Sequence, residues 1–297
     1  MTSEGAVFRE DVALSRVTTI GTGGPARAFS EPRTIVELEH TLRAARKRGL
    51  GVATVGLGSN LLAADAGVDM LVLRLAGDLA EARTEGTVLV AGGGATNAVC
   101  LHRVRAAGLG GFEFACAIPG TAGGGVWMNA GAYGSDWSAI VMRALVATAD
   151  GTGWLTPAEL GFSYRHSILR HGQVVAAVEY QLVPSGTDEI RARVRDLVNR
   201  RKATQPTTER TFGSVFKNPP GEIGAGQMIE LCGLKGYRHG GAVISSRHAN
   251  FIENAGDATT SDCLALMAEA RRRAHLEYGV ELEHEVVFLG DLTLPPT

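Results

Sequence analysis

The sequence predicts a fold of mixed helices and strands, of the α/β or α+β class, and three observations carry this prediction. Short apolar runs alternate along the 297-residue chain with amphipathic helical patterns. Glycine accounts for 39 residues, about 13% where roughly 7% is usual, and much of it clusters at the ends of apolar runs. Hydrophobic residues make up 45% of the chain and charged residues 20%, which is typical of a protein with a packed core.

Four segments have the periodicity of amphipathic helices, and capping residues bound three of them. Thr34 and Glu37 have the spacing of a capping box, and Gly49 ends the pattern that they begin. Thr96 is placed to cap the second helix, and Gly279 to end the last. We predict helices over residues 34–49, 96–108, 190–198 and 261–278.

Short runs of branched aliphatic residues, bounded by glycine or charged residues, predict buried strands. These runs are residues 17–20, 52–55, 70–73, 87–91, 144–147, 174–178 and 286–289. The sequence PSG at 184–186 predicts a turn and is the best candidate for a linker. We therefore expect two domains, residues 1–187 and 188–297.

Charge and cysteine usage exclude several classes of protein. A net charge of −2 argues against nucleic-acid binding through bulk charge. The cysteines have no C-x-x-C spacing and the histidines no metal-binding spacing, which predicts reduced thiols and no metal. No apolar run is long enough to span a bilayer, and Met1–Glu10 lacks the apolar core of a secretory signal. We expect a cytoplasmic protein that acts on a small molecule, without membrane contact or an obligate protein partner.

Two glycine-rich segments of the predicted first domain, residues 56–60 and 118–134, suggest a phosphate-bearing ligand. Backbone N–H groups in such loops can face an anion, and a side chain would block close approach. Glycines that only make tight turns are the alternative, but two rich clusters favour a ligand. A third cluster at 21–25 does not fit a dinucleotide-binding fold, because Pro32 would interrupt the helix that must follow.

Three polar segments are candidates for chemistry. Arg165 could hold a carboxylate, although a surface arginine is the commoner case. Ser214 follows a glycine and is either a turn cap or a buried proton donor. Glu281, Glu283 and Glu285 alternate with apolar residues, which predicts one face of a strand. Such a face is usually a solvated edge, and one of the three can instead face a site. Ser214 lies outside the G-x-S-x-G pattern, so a serine hydrolase is a poor fit.

An ordered set of motifs covers nearly the whole chain. The motifs are Thr18-Thr19 with GGPA (23–26), GSNLL (58–62), IPGT (118–121) with MNAGAYG (128–134), Tyr164-Arg165 with Ser167, Gln205-Pro206, GSVFKNP (213–219), GLKG (233–236), HANFI (248–252) and LEHEV (282–286). In this order they resemble the MurB family, the UDP-N-acetylenolpyruvoylglucosamine reductases.

The resemblance implies an α+β fold: a PCMH-type (vanillyl-alcohol-oxidase-like) FAD-binding domain of two subdomains, and a C-terminal α/β substrate-binding domain. It implies FAD as cofactor and NADPH as co-substrate. The residues that it places at the cofactor are Gly56, Leu57, Gly58, Ser59, Asn60, Leu61, Pro119, Gly120, Thr121, Gly123, Gly124, Asn129, Gly131, Ala132 and Tyr133.

The reaction that the resemblance implies has two halves: NADPH reduces FAD, and the flavin then reduces an enolpyruvyl ether of UDP-N-acetylglucosamine. Enolate charge develops on the substrate and needs preorganised partners. Arg165 and a protonated Glu285 match the groups that stabilise it, and Ser214 matches the general acid. Substrate-binding residues would be Tyr164, Arg200, Lys202, Lys217 and Asn218. For Arg200 and Lys202, a solvated helix end explains the charge equally well.

The chain departs from the family pattern in three places. It has no inserted loop with a tyrosine between Pro184 and Arg200, so it resembles the shorter subgroup that lacks this loop. Residues 20–22 lack the aromatic residue and arginine frequent there, and His284 replaces a frequent proline. A PCMH-type oxidase of another alcohol or sugar, and a nucleotide-sugar sensor without catalysis, are the rival hypotheses. The presence of all three catalytic residues disfavours both.

Overall fold

The computed structural model describes residues 8–297, so the secretory-signal expectation lies partly on residues 1–7, outside the described range. The described chain forms seven α-helices: α1 (Ile35–Lys47), α2 (Asn97–Ala106), α3 (Ala122–Met128), α4 (Pro157–Leu160), α5 (Thr187–Thr204), α6 (Ala225–Leu231) and α7 (Thr260–Tyr278). None of these helices is long and apolar enough to cross a membrane.

Nineteen short strands lie between the helices in the same range. They are β1 (Val12–Ala13), β2 (Pro25–Ser30), β3 (Gly51–Thr54), β4 (Leu61–Ala63), β5 (Val68–Leu73), β6 (Ala82–Glu85), β7 (Val88–Gly92), β8 (Leu109–Gly110), β9 (Gly131–Ala132), β10 (Ser135–Asp136), β11 (Val141–Thr148), β12 (Gly151–Leu155), β13 (Val174–Gln181), β14 (Val183–Pro184), β15 (Thr211–Ser214), β16 (Arg238–His239), β17 (Ala242–Ile244), β18 (Phe251–Asn254) and β19 (Val287–Leu289).

The helix ends follow the local signals in the sequence. The Thr34 hydroxyl accepts from the Glu37 amide at 3.2 Å, and Thr96 caps α2 in the same way. Gly279 ends α7 in the left-handed region at φ +67°. The Glu37 carboxylate accepts from the Arg33 amide at 2.7 Å rather than closing the capping box. The four predicted helices are confirmed, and α3, α4 and α6 are too short to show a periodic apolar pattern.

One predicted strand is wrong. Over residues 17–20, the amides of Val17 and Thr18 both donate to the Leu14 carbonyl, so the chain turns there instead of extending. The branched residues that suggested a strand are used for burial, since Ile20 is fully buried. The other six predicted strands appear, with ends that differ by up to three residues.

The chain divides into two compact units. The first comprises residues 8–10, Ala28–Leu57 and Asp69–Arg200 of the described range. Its main feature is an antiparallel sheet in the order β12-β11-β13-β7-β6. Helix α3 packs on this sheet, and buried Trp137 donates to the Tyr180 hydroxyl at 2.9 Å in the core beneath.

The second unit comprises Asp11–Arg27, Gly58–Val68 and Arg201–Thr297. Its antiparallel sheet has the order β15-β18-β17-β16, and helix α7 packs on β16 and β17. Strand β4 pairs in parallel with β19. The core of this unit contains Phe212, Phe216 and Leu266.

These units differ from the predicted single boundary near residue 187. The division falls after Arg200, and two early segments belong to the second unit. Hydrogen bonds to Thr260 of α7 explain this. The Thr260 hydroxyl contacts the Thr22 hydroxyl of the first segment at 2.9 Å and donates to the Ala63 carbonyl of the second at 2.6 Å, and the Asp65 carboxylate accepts from the Thr260 amide at 2.8 Å. The predicted linker at 184–186 is not one, because β14 pairs with β8 and the Gly186 carbonyl accepts from the amide of Ile190 in α5.

Two of the four cysteines are core residues, and the other two, Cys116 and Cys232, are half-buried. Cys100 and Cys263 are fully buried, and burial raises the pKa of each thiol to about 12. A thiol with so high a pKa is protonated and unreactive at neutral pH. No group of three histidine, cysteine or carboxylate side chains among residues 8–297 could hold a metal ion.

Candidate active site

Ser214 lies at the end of β15, where the ladder with β18 is irregular. The register shifts between Thr211 and Ser214, and Gly213 between them has φ +81°. A Cβ on Gly213 would lie only 3.1 Å from the Ser59 carbonyl oxygen. Glycine is therefore required at this point, both for the backbone conformation and for the close approach of the loop at 58–60. We call residues 213–217 the Ser214 segment.

Glu285 lies beside the Ser214 segment within the second unit. The Glu285 amide donates to the Val215 carbonyl at 2.9 Å, and the Lys217 amide donates to the Glu283 carbonyl at 2.9 Å. Asn60 fixes the other side: its side-chain amide donates to the Glu285 carbonyl at 2.9 Å. The structure thus brings together Ser214 and Glu285, which the sequence places about 70 residues apart.

The three glutamates differ in their surroundings. Glu281 and Glu283 are exposed, and they pair with Arg271 at 3.0 Å and with Lys217 at 2.6 Å. Glu285 is half-buried. The predicted strand face is wrong here, because regular pairing begins only at Val287. Of the three, Glu285 is the half-buried one, and its amide bonds the residue that follows Ser214.

Arg165 lies at the corner of a tight turn in the first unit. Ser163 and His166 exchange two backbone hydrogen bonds of 3.0 and 3.1 Å, and Arg165 has φ +53°. The guanidinium donates to the Gly131 carbonyl at 2.6 Å and lies 4.9 Å from the centre of the Tyr164 ring. We call residues 163–166 the Arg165 turn. Its left-handed backbone costs on the order of 1 kcal/mol or more and has to be held by its surroundings.

Asn129 holds that turn. Its side chain is buried, and its Nδ2 donates to the Ser163 carbonyl at 2.9 Å while its Oδ1 accepts from the Ser138 amide at 2.9 Å. Ser167 adds a second tie, donating to the Trp127 carbonyl at 2.6 Å. The sequence placed Asn129 at the cofactor, whereas both ends of its side-chain amide are bonded within the protein.

The glycines of the 118–134 segment fall into two groups. A Cβ on Gly123 would lie 2.9 Å from the Gly93 carbonyl oxygen, and one on Gly125 would collide with Trp137. These two glycines allow α3 to pack closely. On Gly120 or Gly124, a Cβ would meet no protein atom within 3.4 Å. Protein packing therefore does not explain glycine at Gly120 and Gly124, and a ligand that approaches the backbone would.

A buried acceptor lies beside these open glycines. Asn97 is 3% exposed, and its Nδ2 donates to the Ile118 carbonyl at 2.8 Å. Its Oδ1 is buried and has no hydrogen-bond partner among the described residues. Buried polar atoms are nearly always paired, so this oxygen indicates a donor that is supplied from outside the protein. The open glycines fit the close approach of a diphosphate, which has no hydrogen-bond donors of its own, and the Asn97 oxygen fits an N–H or hydroxyl donor elsewhere on a nucleotide cofactor. Sequence reasoning missed Asn97, which shows there only as a residue of the first helical turn.

The first glycine loop is packed more tightly than the second. A Cβ on Gly56 would lie 2.7 Å from the Thr121 hydroxyl, so the two glycine loops touch in the first unit. A Cβ on Gly58 would collide with the Val17 carbonyl, which explains glycine there without a ligand. Leu57 is exposed and Leu61 is buried in β4.

The predicted substrate-binding residues lie in different settings. Arg200 on α5 lies 5.0 Å from the centre of the Tyr133 ring. Lys202 is exposed on the same helix, and Lys217 pairs with Glu283. The Asn218 side-chain oxygen accepts from the amide of Ala225, the first residue of α6, at 3.0 Å. That oxygen has a structural use that the sequence did not indicate.

Both parts of the chain are similar to known protein families. Residues 205–289 match the family described as "UDP-N-acetylenolpyruvoylglucosamine reductase, C-terminal domain", and residues 26–154 match "FAD binding domain". "UDP-N-acetylenolpyruvoylglucosamine reductase 2" of Symbiobacterium thermophilum is 45% identical over 285 residues, 95% of this chain and 92% of the relative. The reductase of Anaeromyxobacter dehalogenans strain 2CP-C is 45% identical over 286 residues, 96% of this chain and 86% of the relative.

A solved structure of the same family is also similar. The crystal structure of MurB from Thermus caldophilus is 35% identical, with a TM-score of 0.83 over 96% of this chain and 100% of that one. The predicted α+β fold, with a PCMH-type FAD-binding domain and a further C-terminal domain, is confirmed. Since the identity extends over nearly the full length of each relative, this chain belongs to the MurB family of UDP-N-acetylenolpyruvoylglucosamine reductases.

Proposed function

We propose that this chain reduces the enolpyruvyl ether of UDP-N-acetylglucosamine to UDP-N-acetylmuramate with NADPH, in the synthesis of peptidoglycan precursors. It is an FAD-dependent oxidoreductase that acts on a small molecule. The observation that carries the proposal is the pairing of the Ser214 segment with Glu285 through the Val215 carbonyl. Its substrates are metabolites of the cytoplasm, where we propose that it works.

FAD, when bound, supplies the transfer of two electrons from NADPH to the enolpyruvyl double bond. The protein residues that we propose for holding it are the open glycines, Gly120 and Gly124, with Asn97 as an acceptor. Gly56 and Thr121 bring the two glycine loops into contact. Because neither Gly120 nor Gly124 carries a side chain, a diphosphate can approach the backbone closely at both positions.

Ser214 is the proposed general acid. Reduction of the enolpyruvyl group leaves negative charge next to a carbon that must gain a proton, and the Ser214 hydroxyl donates it and regains a proton from water. A serine hydroxyl is a very weak acid, so this donation depends on close placement and on a strongly basic acceptor. Position is therefore the property of Ser214 that the protein has to control.

Arg165 and Glu285 are the proposed stabilisers of the enolate. A guanidinium presents donors in a fixed plane that matches a carboxylate, which suits the carboxyl group of the enolpyruvyl ether. Glu285 would act in its protonated form, as a hydrogen-bond donor. Tyr164, Arg200, Lys202 and Lys217 are proposed to bind the rest of the substrate, including its diphosphate.

An anaerobic experiment tests the proposal. Purified protein should be yellow, and NADPH should bleach the flavin band. The enolpyruvyl substrate should then restore the colour. In Ser214→Ala, NADPH should still bleach the flavin, while recovery of colour should slow by at least about 10²–10⁴-fold, the usual contribution of a general acid.

Ser214→Cys is the matched control. A thiol is a stronger acid than a hydroxyl and keeps a proton at the same position, so recovery should be faster than in the alanine variant. Recovery at the wild-type rate in Ser214→Ala would contradict the role of Ser214. A colourless protein, or a flavin that the substrate does not reoxidise, would contradict the proposed function.

A further inference from the structure

The motif HANFI at 248–252 stands out in the sequence without a chemical role. In the structure its central residue, Asn250, immediately precedes β18. Asn250 is 4% exposed, although asparagine is usually a surface residue. A buried amide carries two donors and an acceptor that need partners, so its hydrogen bonds say what it does.

All of the side-chain bonds of Asn250 go to one residue of the Ser214 segment. Its Oδ1 accepts from the Phe216 amide at 2.9 Å, and its Nδ2 donates to the Phe216 carbonyl at 2.8 Å. The Asn250 main-chain carbonyl accepts from the Val215 amide at 2.9 Å. The side-chain amide thus pairs with Phe216 as a neighbouring strand would, and three bonds hold the two residues that follow Ser214.

This pairing occurs where the regular ladder fails. Ser214 is the last residue of β15 to pair with β18, just after the register shift at Gly213. Beyond Ser214, where β15 and β18 no longer pair, the Asn250 side chain makes the hydrogen bonds to Phe216 that a paired strand would make. On the opposite side, Val215 bonds to Glu285 and Lys217 bonds to Glu283. The Ser214 segment therefore lies between Asn250 and residues 283–285, and its position sets the offset between Ser214 and Glu285.

Asn250 is itself anchored. Its amide donates to Nδ1 of His248 at 3.2 Å, so that nitrogen is the acceptor of the ring. The His248 ring packs edge-on against Phe251, with 5.1 Å between ring centres. Burial lowers the pKa of His248, which keeps the ring neutral and Nδ1 able to accept. The turn that carries Asn250 is thus fixed before the side chain meets Phe216.

We propose that Asn250 is a positioning residue for proton donation by Ser214. It acts through the backbone of Val215 and Phe216, which it holds at the spacing that places the Ser214 hydroxyl correctly beside Glu285. This inference rests on the proposed function of Ser214. It predicts a defect confined to the half of the reaction in which the substrate receives its proton.

Asn250→Ala tests the proposal in the FAD-loaded full-length enzyme. NADPH should bleach the flavin at the wild-type rate, because that step does not use Ser214. Recovery of colour with saturating substrate should slow by about 10²-fold, the size of effect that a displacement near 1 Å can have. Asn250→Asp keeps the acceptor for the Phe216 amide but replaces the donor to the Phe216 carbonyl with an oxygen, so its colour recovery should be faster than in the alanine variant and slower than in wild type. It therefore also tests the proposal if Asn250→Ala does not fold.

Asn254→Ala is the matched control, at the other end of β18. The Asn254 side chain makes three hydrogen bonds, one more than that of Asn250: it donates to the Ile20 carbonyl and accepts from the amides of Gly256 and Ala258, and none involves the Ser214 segment. We expect Asn254→Ala to lower the melting temperature while recovery stays within about threefold of wild type. This separates positioning from general stability.

Two outcomes would overturn the inference. One is recovery of the flavin colour at the wild-type rate in Asn250→Ala. If Asn250→Ala does not fold, recovery at the wild-type rate in Asn250→Asp has the same meaning. The other is equal slowing in the Asn250 and Asn254 variants, which would reduce Asn250 to a structural role. If wild-type enzyme itself is not reoxidised by the substrate, the proposed function fails first, so the two failures are distinguishable.

Discussion

The Arg165 turn and the Ser214 segment each position a proposed active-site side chain, and they do so in different ways. Arg165 lies on a two-residue turn with left-handed backbone, and its own guanidinium is bonded to the Gly131 carbonyl. The Ser214 segment is held by hydrogen bonds to its backbone on both sides. Each is tied by a buried asparagine, Asn129 for the turn and Asn250 for the segment.

The difference follows from the two side chains. Arginine is long and has many rotamers, so fixing its backbone alone would leave the head group free, and a bond to the head group is needed as well. Serine has one rotatable bond before its oxygen, so the backbone position sets the hydroxyl position. We therefore expect the contribution of Arg165 to the reaction to depend on its head group, and that of Ser214 to depend on the residues that hold its backbone.

Arg165→Lys should have the largest effect of the changes that test this comparison. Lysine keeps the charge but loses the planar fork, so it cannot bond Gly131 and present a fixed pair of donors together. Recovery of the flavin colour with substrate should slow by about 10²–10³-fold, comparable to the loss of one donor to a developing anion. The measurement is stopped-flow absorbance, and Arg170→Lys, five residues away and exposed, is the control. Activity within a few-fold of wild type in Arg165→Lys would show that charge alone suffices.

Asn129 allows the backbone and side-chain contributions to the turn to be separated. Asn129 has φ +40°, which glycine adopts freely and alanine does not. Asn129→Gly should lower the free energy of unfolding by about 1–3 kcal/mol, since the Ser138 amide loses its acceptor and the Ser163 carbonyl keeps only the bond from the His166 amide. Asn129→Ala should lose about 1 kcal/mol more through backbone strain. Urea unfolding measures both values, and equal stability of the two variants would exclude a strain contribution.

Features that depend on neighbouring residues could be predicted from the sequence, whereas features that depend on distant residues could not. Helices α1 and α2 were predictable because the hydroxyls of Thr34 and Thr96 accept from amides three positions away, and α7 because Gly279 ends it. The domain boundary was not, because β4 pairs with β19 more than 220 residues later. The resemblance named Ser214 and Glu285, but only the structure shows that Val215 joins them.

The roles of individual side chains also depend on contacts with residues that are distant in the sequence. Alternation made Glu281, Glu283 and Glu285 equivalent, and they differ only through partners elsewhere in the chain. Asn250 bonds a residue 34 positions away, and no local pattern signals such a contact. A glycine count likewise could not separate Gly125, which packs on Trp137, from Gly124, which is open. The family motifs therefore indicated which residues are candidates for the chemistry, and only the structure shows which partners hold them in position.

The smallest expected effect concerns the cation next to Ser214. Lys217 pairs with the exposed Glu283 carboxylate at 2.6 Å, whereas Arg165 bonds an uncharged carbonyl. A substrate diphosphate that binds Lys217 must compete with Glu283, so Glu283→Gln should lower KM by up to about fivefold and leave kcat unchanged. The factor is bounded because an exposed ion pair contributes about 1 kcal/mol at most. Steady-state kinetics at low and high salt measures this, and the gain should shrink at high salt because exposed charges are screened. A raised KM in Glu283→Gln would mean that Glu283 holds Lys217 in its working position, as the Gly131 carbonyl holds Arg165.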